Sequence, residues 1–372
     1  MNTQEKLEIL ASDSQYDLAC SCGTSKDNHR RRTAEGRWLY PVPLAAGGYG
    51  IMFKTLLSNA CGNDCRYCPL RSDANARRCT LTPEEIAKFF YEFQLRRPLL
   101  GIFLSSGVID TPDRTMEKLL ATAEILRYRY SYRGYIHLKI IPGASEAAIL
   151  RALSLATAVS LNIEVPGERH FVRLSRCKDF RRDIIAPLKI ISANTAPGER
   201  FGRVKCTTQF IVGASDESDR EIVGYMDGLY NRLNFERIFF SAYQPVSGGP
   251  SLPGERFQLD GNARLTREHR LYQVDWLLRK YRFSPGEMVF RSDGNLALDL
   301  DPKEMWARAH PEFFPVRINT ADREELLRIP GIGPVWAKRI IVARRIHRLT
   351  RLSMIGFTGK LAGKALNYID FS

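Results

Sequence analysis

The sequence predicts an α/β fold with a parallel sheet, followed by a small all-helical domain at the C-terminal end. Strand-like and helix-like segments alternate six times, and this alternation implies parallel strands joined by right-handed crossovers. Near the C-terminus, two short helical patterns flank the glycine-rich turn 330–333. The 372 residues are enough for one large and one smaller domain.

The six strands and the domain boundaries follow from the same pattern. We predict strands at about 49–57, 100–105, 135–140, 159–164, 207–212 and 237–242. We predict an N-terminal extension over 1–45, a core barrel over 46–245, a helical and irregular linker over 246–316, and a helical domain over 317–372. In such β/α units, functional residues lie at the C-terminal ends of the strands.

The composition favours a cytoplasmic protein with an anionic partner. The N-terminus lacks the basic and then apolar pattern of a signal peptide, and no apolar run reaches membrane-spanning length. The net charge is +14, and residues 317–372 contain eleven Lys or Arg against four Asp or Glu. A charge of this sign favours nucleic acid as the partner, although a solvated basic surface is the common alternative.

Three cysteines follow the first predicted strand at C-x3-C-x2-C spacing: Cys61, Cys65 and Cys68. Three thiolates on one tight loop can hold three irons of a four-iron cluster and leave the fourth iron open. A structural zinc site would require a fourth ligand, usually in paired C-x2-C spacings. A disulfide framework is unusual in a long chain without a secretory signal, and three buried thiols are the remaining alternative.

The cysteine loop resembles the signature of the radical S-adenosylmethionine (SAM) enzymes, which place an aromatic residue before the last cysteine, as Tyr67 does here. The resemblance implies a [4Fe-4S] cluster, SAM at the open iron and an external electron donor. It implies that an electron from the cluster breaks a carbon–sulfur bond of SAM and releases a 5′-deoxyadenosyl radical. It also implies that the six units form a partial (β/α)6 barrel.

Polar residues at the strand ends are candidates for binding SAM. In radical SAM proteins the second strand often ends in a Gly-Gly-Glu-Pro type sequence that pairs with the SAM amino group. Here the acid is missing, and Ser105, Ser106 and Gly107 occupy this corner. Asn162 and Glu164 share one face of the fourth predicted strand, where they could bind a ribose or the methionine part of SAM, or form a rim salt bridge.

Two further strands carry candidates. Gln209 and Gly213 resemble the fifth-strand motif of the family, where a glycine lets the adenine approach the backbone. Glu217 either belongs to this motif or caps the next helix. His137 and Lys139 share a face of the third strand, where either could meet a substrate phosphate or the SAM carboxylate.

The C-terminal segment closely resembles a helix-hairpin-helix motif. We expect Asn319 or Thr320 to cap the first helix, Ile332 to pack between the helices and Pro334 to open the second helix. A degenerate repeat of the pattern follows at 352–365. Such motifs also serve protein–protein packing, but the positive charge favours nucleic acid.

The hairpin supplies the predicted DNA contacts. Gly331 and Gly333 leave backbone N–H groups available at a helix N-terminus, which is a ready phosphate site. Lys338 and Arg339 follow on the second helix. Contacts of this kind bind the phosphate backbone and carry little sequence information.

Over nearly all its length the chain resembles one family, the DNA modification or repair radical SAM proteins. The segments that carry this resemblance are Tyr16-Asp17, 104–109, 134–139, 141–144, 267–273, 310–315 and the hairpin. A more distant likeness is to spore photoproduct lyase, which repairs a thymine dimer by radical chemistry. The resemblance implies modification or repair of a nucleotide in DNA, and it alone implies a partner similar to uracil-DNA glycosylase.

In the implied reaction, the deoxyadenosyl radical abstracts hydrogen from a base that has left the stack. A thiol returns a hydrogen atom at the end, as in the lyase. The candidate donors are Cys20, Cys22, Cys79, Cys177 and Cys206. The alternatives are a radical SAM enzyme that acts on RNA and a nucleic-acid-binding protein with a structural cluster.

Overall fold

The computed structural model describes residues 1–17, 36–44, 47–245, 251–257 and 259–372. These residues form two compact units, one of residues 1–217 and 225–268 and the other of residues 218–224 and 269–372. Cys20 and Cys22, two predicted hydrogen donors, lie outside the described residues. In the parts of the chain that are described, no helix combines the length and the apolar content needed to cross a membrane.

A seven-stranded sheet organises the first unit. Its strands are β1 (Leu39–Pro43), β2 (Tyr49–Leu56), β3 (Gly101–Ser105), β4 (Tyr135–Lys139), β5 (Ala158–Ser160), β6 (Lys205–Val212) and β7 (Arg237–Ala242). They pair in chain order, with β2 to β7 all parallel and β1 antiparallel to β2. Helices join the successive parallel strands, so the sheet is the partial (β/α)6 barrel that was predicted.

Helices cover the sheet, and their starts follow the sequence signals. The helices that lie wholly in the first unit are α1 (Thr3–Asp13), α2 (Pro83–Arg96), α3 (Pro112–Glu124), α4 (Glu146–Leu155), α5 (Glu168–Phe171) and α6 (Ala186–Thr195); α7 (Asp219–Asp227) and α8 (Gly261–Tyr281) each have residues in both units. Thr82 caps α2, and Glu85 returns a hydrogen bond in a capping box. Phe90 of this helix packs on Phe53 of β2, with the two ring centroids 5.5 Å apart.

Two ionisable side chains are buried in the strands before their C-terminal ends. Lys54 and His137 are buried there and lie in register on either side of Phe103. The His137 Nε2 lies 2.8 Å from the Ser160 hydroxyl. Burial lowers the pKa of His137 to about 3, so this histidine is neutral at physiological pH.

Two features of the sheet differ from the prediction. The strand β1 was not predicted, because Pro41 and Pro43 interrupt its pattern; an edge strand tolerates them since it needs fewer backbone donors. The fourth predicted strand corresponds to β5, and it ends at Ser160 instead of Glu164. Glu164 has φ +67°, a left-handed conformation that an extended strand cannot contain, and it keeps an isolated bridge to Phe210.

The second unit is mainly helical and includes the segment 317–372. Its elements are α9 (Pro302–Ala309), β8 (Val316–Arg317), α10 (Arg323–Arg328), α11 (Pro334–Ala343), α12 (Gly359–Leu366) and β9 (Ile369–Asp370). A cluster of buried apolar residues between Val316 and Ala365 forms its core. The cap of α10 is Asp322, in a capping box with Glu325, instead of Asn319 or Thr320.

Asn319 has a different role from the predicted cap. Its side-chain amide donates hydrogen bonds of 2.9 Å to the carbonyls of Leu349 and Phe371. These bonds fasten the start of the hairpin segment to the end of the chain. The sequence prediction placed the helix start two or three residues too early, an error that is common for helix boundaries.

Candidate functional site

A cavity in the first unit lies at the C-terminal ends of the parallel strands. Each parallel strand contributes a lining residue within two residues of its end: Leu56, Ser105, Lys139, Asn162, Ile211 and Ala242. The cysteine loop forms another part of the wall. The chain therefore brings the C-x3-C-x2-C loop and all six strand ends to one place, the usual position of a site in a β/α fold.

All three predicted cluster cysteines line this cavity. The backbone N–H of Val108 points to the Cys61 Sγ at 3.4 Å, and the N–H of Leu70 points to the Cys68 Sγ at 3.3 Å. Backbone donors of this kind stabilise negative charge on sulfur ligands. Cys65 is buried, and the side chain of Lys178 reaches its sulfur.

The three thiols of the loop fit an iron–sulfur cluster, which cysteine thiolates bind. Among the described residues, no three Cys, His, Asp or Glu side chains are grouped closely enough to hold one ion. In a four-iron cluster each cysteine binds a different iron, so the sulfurs need not converge on one point. Burial raises the pKa of Cys65 and Cys68, so metal binding there must displace protons from the thiols.

Gly107 lets the end of β3 approach the cysteine loop. A Cβ atom at this position would lie 2.5 Å from the carbonyl oxygen of Ala60 and 3.1 Å from the Cβ of Cys61. The Gly107 N–H also donates to the carbonyl of Ser58 at 2.7 Å. The corner that was predicted to bind SAM, including Ser105 and Ser106, therefore lies directly against the loop.

A chain of polar contacts runs along another part of the wall. The Lys139 Nζ donates to the Asn162 Oδ1 at 2.5 Å, and the Asn162 amide lies 3.5 Å from the Glu164 Oε2. Glu164 is hydrogen-bonded to the hydroxyl of Tyr67, and burial raises the pKa of its carboxyl. The left-handed backbone at Glu164 is the kind of strain that clusters at functional sites.

Asp17 enters the same cavity from the N-terminal segment. Its carboxylate accepts a hydrogen bond from the Lys139 Nζ at 2.9 Å, and the Lys54 ammonium donates to its backbone carbonyl. Burial alone would raise the pKa of Asp17, but Lys139 and Lys54 hold it below its ordinary value. Asp13 lines the cavity nearby and accepts a 2.7 Å hydrogen bond from the Asn59 amide.

Sequence reasoning missed Asp17, Asp13 and Lys178 as site residues. Asp17 was noted only in the segment Tyr16-Asp17, among those that carry the family resemblance. It precedes the first β/α unit, and Lys178 lies between β5 and β6 in an irregular segment. No local pattern relates these positions to the strand ends, so only tertiary structure brings them together.

Of the predicted fifth-strand residues, Gln209 is buried and lines the cavity, whereas Gly213 is not among the lining residues. Gly213 has φ +86°, and its N–H donates to the Glu217 Oε1 at 2.6 Å. Glu217 also accepts from the Ser215 N–H and pairs with Arg267. Glu217 thus holds the turn after β6.

The described hydrogen-donor candidates lie outside the cavity lining. Cys79 is buried with its sulfur 3.9 Å from the Lys6 carbonyl, and Cys177 is exposed. Cys206 is buried in β6, 3.1 Å from the Thr195 hydroxyl. None of these three thiols is therefore part of the cavity wall at the strand ends.

The second unit contains two turns of matching geometry. Gly331 and Gly356 have φ +90° and +73°, and each is followed by a buried apolar residue, Ile332 or Phe357. The next residue, Gly333 or Thr358, is the N-cap of α11 or α12. The degenerate repeat in the sequence therefore corresponds to a repeated turn-and-helix geometry.

The predicted DNA contacts surround the first of these turns. Lys338 and Arg339 are exposed on α11, and the Arg339 guanidinium lies 4.8 Å from the centroid of the Trp336 ring. A Cβ at Gly331 would lie 2.3 Å from the Leu361 carbonyl oxygen, so this glycine lets α12 pack against the turn.

A lysine supports the same turn from inside the unit. The Lys303 Nζ donates to the Ile332 carbonyl at 2.5 Å, and the residue is 8% exposed. Burial lowers the pKa of Lys303 to about 7. The turn is therefore fixed by a buried hydrogen bond on one side and by the packing of α12 on the other.

No protein-family model matches the chain, and no curated protein matches it. Among solved structures, it is similar to the FeFe-hydrogenase maturase HydG from Carboxydothermus hydrogenoformans, with a TM-score of 0.45 and 15% identity over 59% of this chain and 51% of that one. It is also similar to methylornithine synthase (PylB), with a TM-score of 0.46 and 16% identity over 59% and 61% of the two chains.

A third similar structure is native anSMEcpe with bound AdoMet, with a TM-score of 0.40 and 13% identity over 61% of this chain and 62% of that one. The chain thus spans about half to three fifths of the length of these structures. Likeness of this size does not establish an activity, because one fold hosts many functions.

Proposed function

We propose that the protein is a radical SAM enzyme that modifies or repairs a nucleotide in DNA. In this proposal Cys61, Cys65 and Cys68 hold a [4Fe-4S] cluster. The observation that carries the proposal is the convergence of these cysteines and the polar strand ends on one cavity. The donor set of three thiols on the cavity wall supports a cluster with an open iron.

When bound, the cluster supplies the electron that cleaves SAM and releases a 5′-deoxyadenosyl radical, after an external donor has reduced it. The protein residues have binding and orienting roles. Ser105, Ser106 and Gly107 offer hydroxyl and backbone groups beside the cysteine loop. Asn162 and Glu164 offer hydrogen bonds to hydroxyl groups, and Tyr67 fixes the Glu164 carboxyl.

Gln209 is buried in the wall of the same cavity, where its amide can contact the nucleoside part of SAM. Gly213 begins the turn after β6, which we assign to the approach of the adenine. The apolar lining residues Leu56 and Ile211 limit the access of water around these groups. Exclusion of water protects a reactive radical from side reactions.

We assign DNA binding to the second unit, as a tandem helix-hairpin-helix domain over 317–372. The repeated turns at Gly331 and Gly356, the exposed Lys338 and Arg339, and the excess of basic residues support this assignment. The N–H groups near Gly333 at the start of α11 suit a phosphate oxygen. From the family resemblance we also propose a partner similar to uracil-DNA glycosylase. From the composition we propose a reducing cytoplasmic location.

Anaerobic reconstitution with iron and sulfide, followed by incubation with SAM and dithionite, tests the enzyme assignment. We expect 5′-deoxyadenosine to form, and we expect mass changes in members of a panel of damaged DNA duplexes. If the folded, cluster-loaded protein forms no deoxyadenosine, the enzyme assignment is wrong and a nucleic-acid-binding protein with a structural cluster becomes the better description.

The second candidate is a radical SAM enzyme that acts on RNA, since basic residues and glycine turns bind either phosphate backbone. Competition between duplex DNA and structured RNA for the protein separates the two. A preference for RNA at matched length and salt concentration would replace DNA by RNA in the proposal.

A further inference from the structure

We propose that Asp17 and Lys139 form a charge pair that opens to bind the α-amino acid end of SAM, with Asp17 taking the amino group and Lys139 the carboxylate. The inference rests on the proposed function, in which this cavity binds SAM. It assigns a binding residue to the N-terminal segment, outside the six β/α units.

The position of Asp17 is fixed independently of its partner Lys139. The Lys54 ammonium, which is fully buried beneath the cavity, donates to the backbone carbonyl of Asp17. The carboxylate then extends to the Lys139 Nζ at 2.9 Å, and the two side chains are 20% and 10% exposed. Because the backbone is held from below, the carboxylate can exchange its partner without leaving the cavity.

The charges of the pair match those of an α-amino acid. In this pair the carboxylate and the ammonium neutralise each other, which avoids an unpaired buried charge. A ligand that carries an amino group and a carboxylate on one carbon can replace both partners at once. Each protein charge then has a new hydrogen-bonded partner, and charge-assisted bonds of this kind are the strong ones.

The location of Asp17 relative to the cysteine loop supports the assignment. The Ser105 hydroxyl is hydrogen-bonded to the Asp17 side chain. Ser105 begins the corner that continues to Gly107, whose backbone packs on Ala60 and Cys61. This corner contains no acid in its own sequence, and Asp17 brings a carboxylate to it from another part of the chain.

The other two acids of the cavity are less suited to the role. Asp13 accepts its hydrogen bond from the Asn59 amide, and burial raises its pKa. Glu164 is bonded to the Tyr67 hydroxyl, and burial raises its pKa as well. Asp17 differs from both because the lysines around it favour the ionised carboxylate, which makes the stronger, charge-assisted hydrogen bond to an amino group.

Two ligands that differ only at the amino acid end provide the test. S-adenosylhomocysteine carries this end, whereas 5′-methylthioadenosine has the same adenosine and sulfur without it. Their affinities for the reconstituted protein are measured anaerobically by equilibrium dialysis. We expect Asp17→Asn to weaken S-adenosylhomocysteine binding about tenfold or more and to change methylthioadenosine binding less than about twofold, as a lost charge-assisted hydrogen bond predicts.

Asp110→Asn is the matched control, since it makes the same chemical change at an exposed position outside the cavity lining and should leave the ratio of the two affinities unchanged. Iron content per chain should be equal in all variants. Equal weakening of both ligands by Asp17→Asn, or no change in either, would overturn the inference. If Asp17→Asn does not fold, Asp17→Ser takes its place, because it also removes the carboxylate, and an unchanged ratio there overturns the inference too.

The same measurements distinguish this inference from the proposed function. If the wild-type protein binds neither ligand, the SAM site itself is wrong. If the wild-type protein binds S-adenosylhomocysteine and the Asp17 variant keeps the full preference for it, only the role of Asp17 is wrong.

Discussion

The cavity of the first unit and the paired turns of the second unit use buried lysines in the same way but arrange their other charges differently. Lys54 bonds the Asp17 carbonyl, and Lys303 bonds the Ile332 carbonyl, so each lysine fixes a backbone segment from inside. Around Asp17 further charges are buried, including Lys139. At the turn, the cation on Lys338 is exposed.

This difference suggests two kinds of recognition. A buried, paired set of charges is costly to rearrange, so it suits one small ligand with a fixed charge pattern. Exposed cations beside glycine turns suit a long surface with repeated phosphates, because many weak, screened contacts add up without base-specific geometry. A single substitution in the cavity should therefore have a large effect on its ligand, whereas a single substitution on the turn surface should remove only one of many weak contacts.

The largest effect is expected for Cys65→Ala. Loss of one thiolate should prevent stable assembly of the cluster, so iron content and visible absorbance should fall to background and 5′-deoxyadenosine should not form. The circular dichroism spectrum and nucleic-acid binding should be retained. Cys177→Ala is the control, because this exposed thiol is outside the cavity lining. Normal cluster content in the Cys65 variant would exclude Cys65 as a ligand.

The next largest effect is expected for Gly331→Ala. The residue has φ +90°, and the added Cβ would lie 2.3 Å from the Leu361 carbonyl oxygen. Backbone strain and overpacking together should lower the free energy of unfolding by about 3 kcal/mol. Chemical denaturation checks this value. Gly363→Ala is the control, since that Cβ would meet nothing within 4 Å and alanine favours the helix, so stability should rise slightly.

A gradual effect is expected from the exposed cations of α11. The double variant Lys338→Ala and Arg339→Ala should weaken binding to duplex DNA about tenfold and reduce the slope of log affinity against log salt by about two. Fluorescence anisotropy over a salt series measures both quantities. Lys189→Ala, an exposed change on α6, should leave the slope unchanged. An unchanged slope in the double variant would show that these two residues of α11 do not contact the DNA.

The smallest effect is expected for Asp322→Ala, which removes the cap of α10. The Asp322 carboxylate accepts hydrogen bonds from the N–H groups of Glu324 and Glu325. Loss of such a cap costs about 1 kcal/mol of stability. Thr320→Ala should cost much less, because Thr320 is not the cap. Thermal unfolding compares them, and an equal loss in the two variants would contradict this assignment of the cap.

The sequence was informative where the pattern is local. The spacing of the cysteines, the strand end at Ser105 and the position of Gln209 within its strand depend on neighbouring residues, and the structure brings them to one cavity. The fold class followed from six repeats of one alternation, a signal that tolerates errors in single elements. The turn glycines were visible because left-handed backbone strongly favours glycine.

The features of the fold and the site that the sequence did not predict depend on contacts between distant segments or on exceptions to local preferences. Asp17 and Lys178 are brought to the cavity by tertiary structure, so no periodicity indicates them. Glu164 adopts a left-handed backbone that its residue type disfavours, so the strand was predicted to continue through it. β1 was not predicted because it contains two prolines. Asn319 was predicted as a cap because asparagine side chains form hydrogen bonds both at helix caps and in loops.

The contribution of the N-terminal segment has a consequence for protein engineering. A shortened chain that starts at β2 would keep every parallel strand and all three cysteines, and it would satisfy a motif search. It would nevertheless lack Asp13 and Asp17, two of the acids in the cavity wall. A minimal or chimeric version of the barrel should therefore be designed from α1 onward, with the segment before β1 treated as part of the binding pocket.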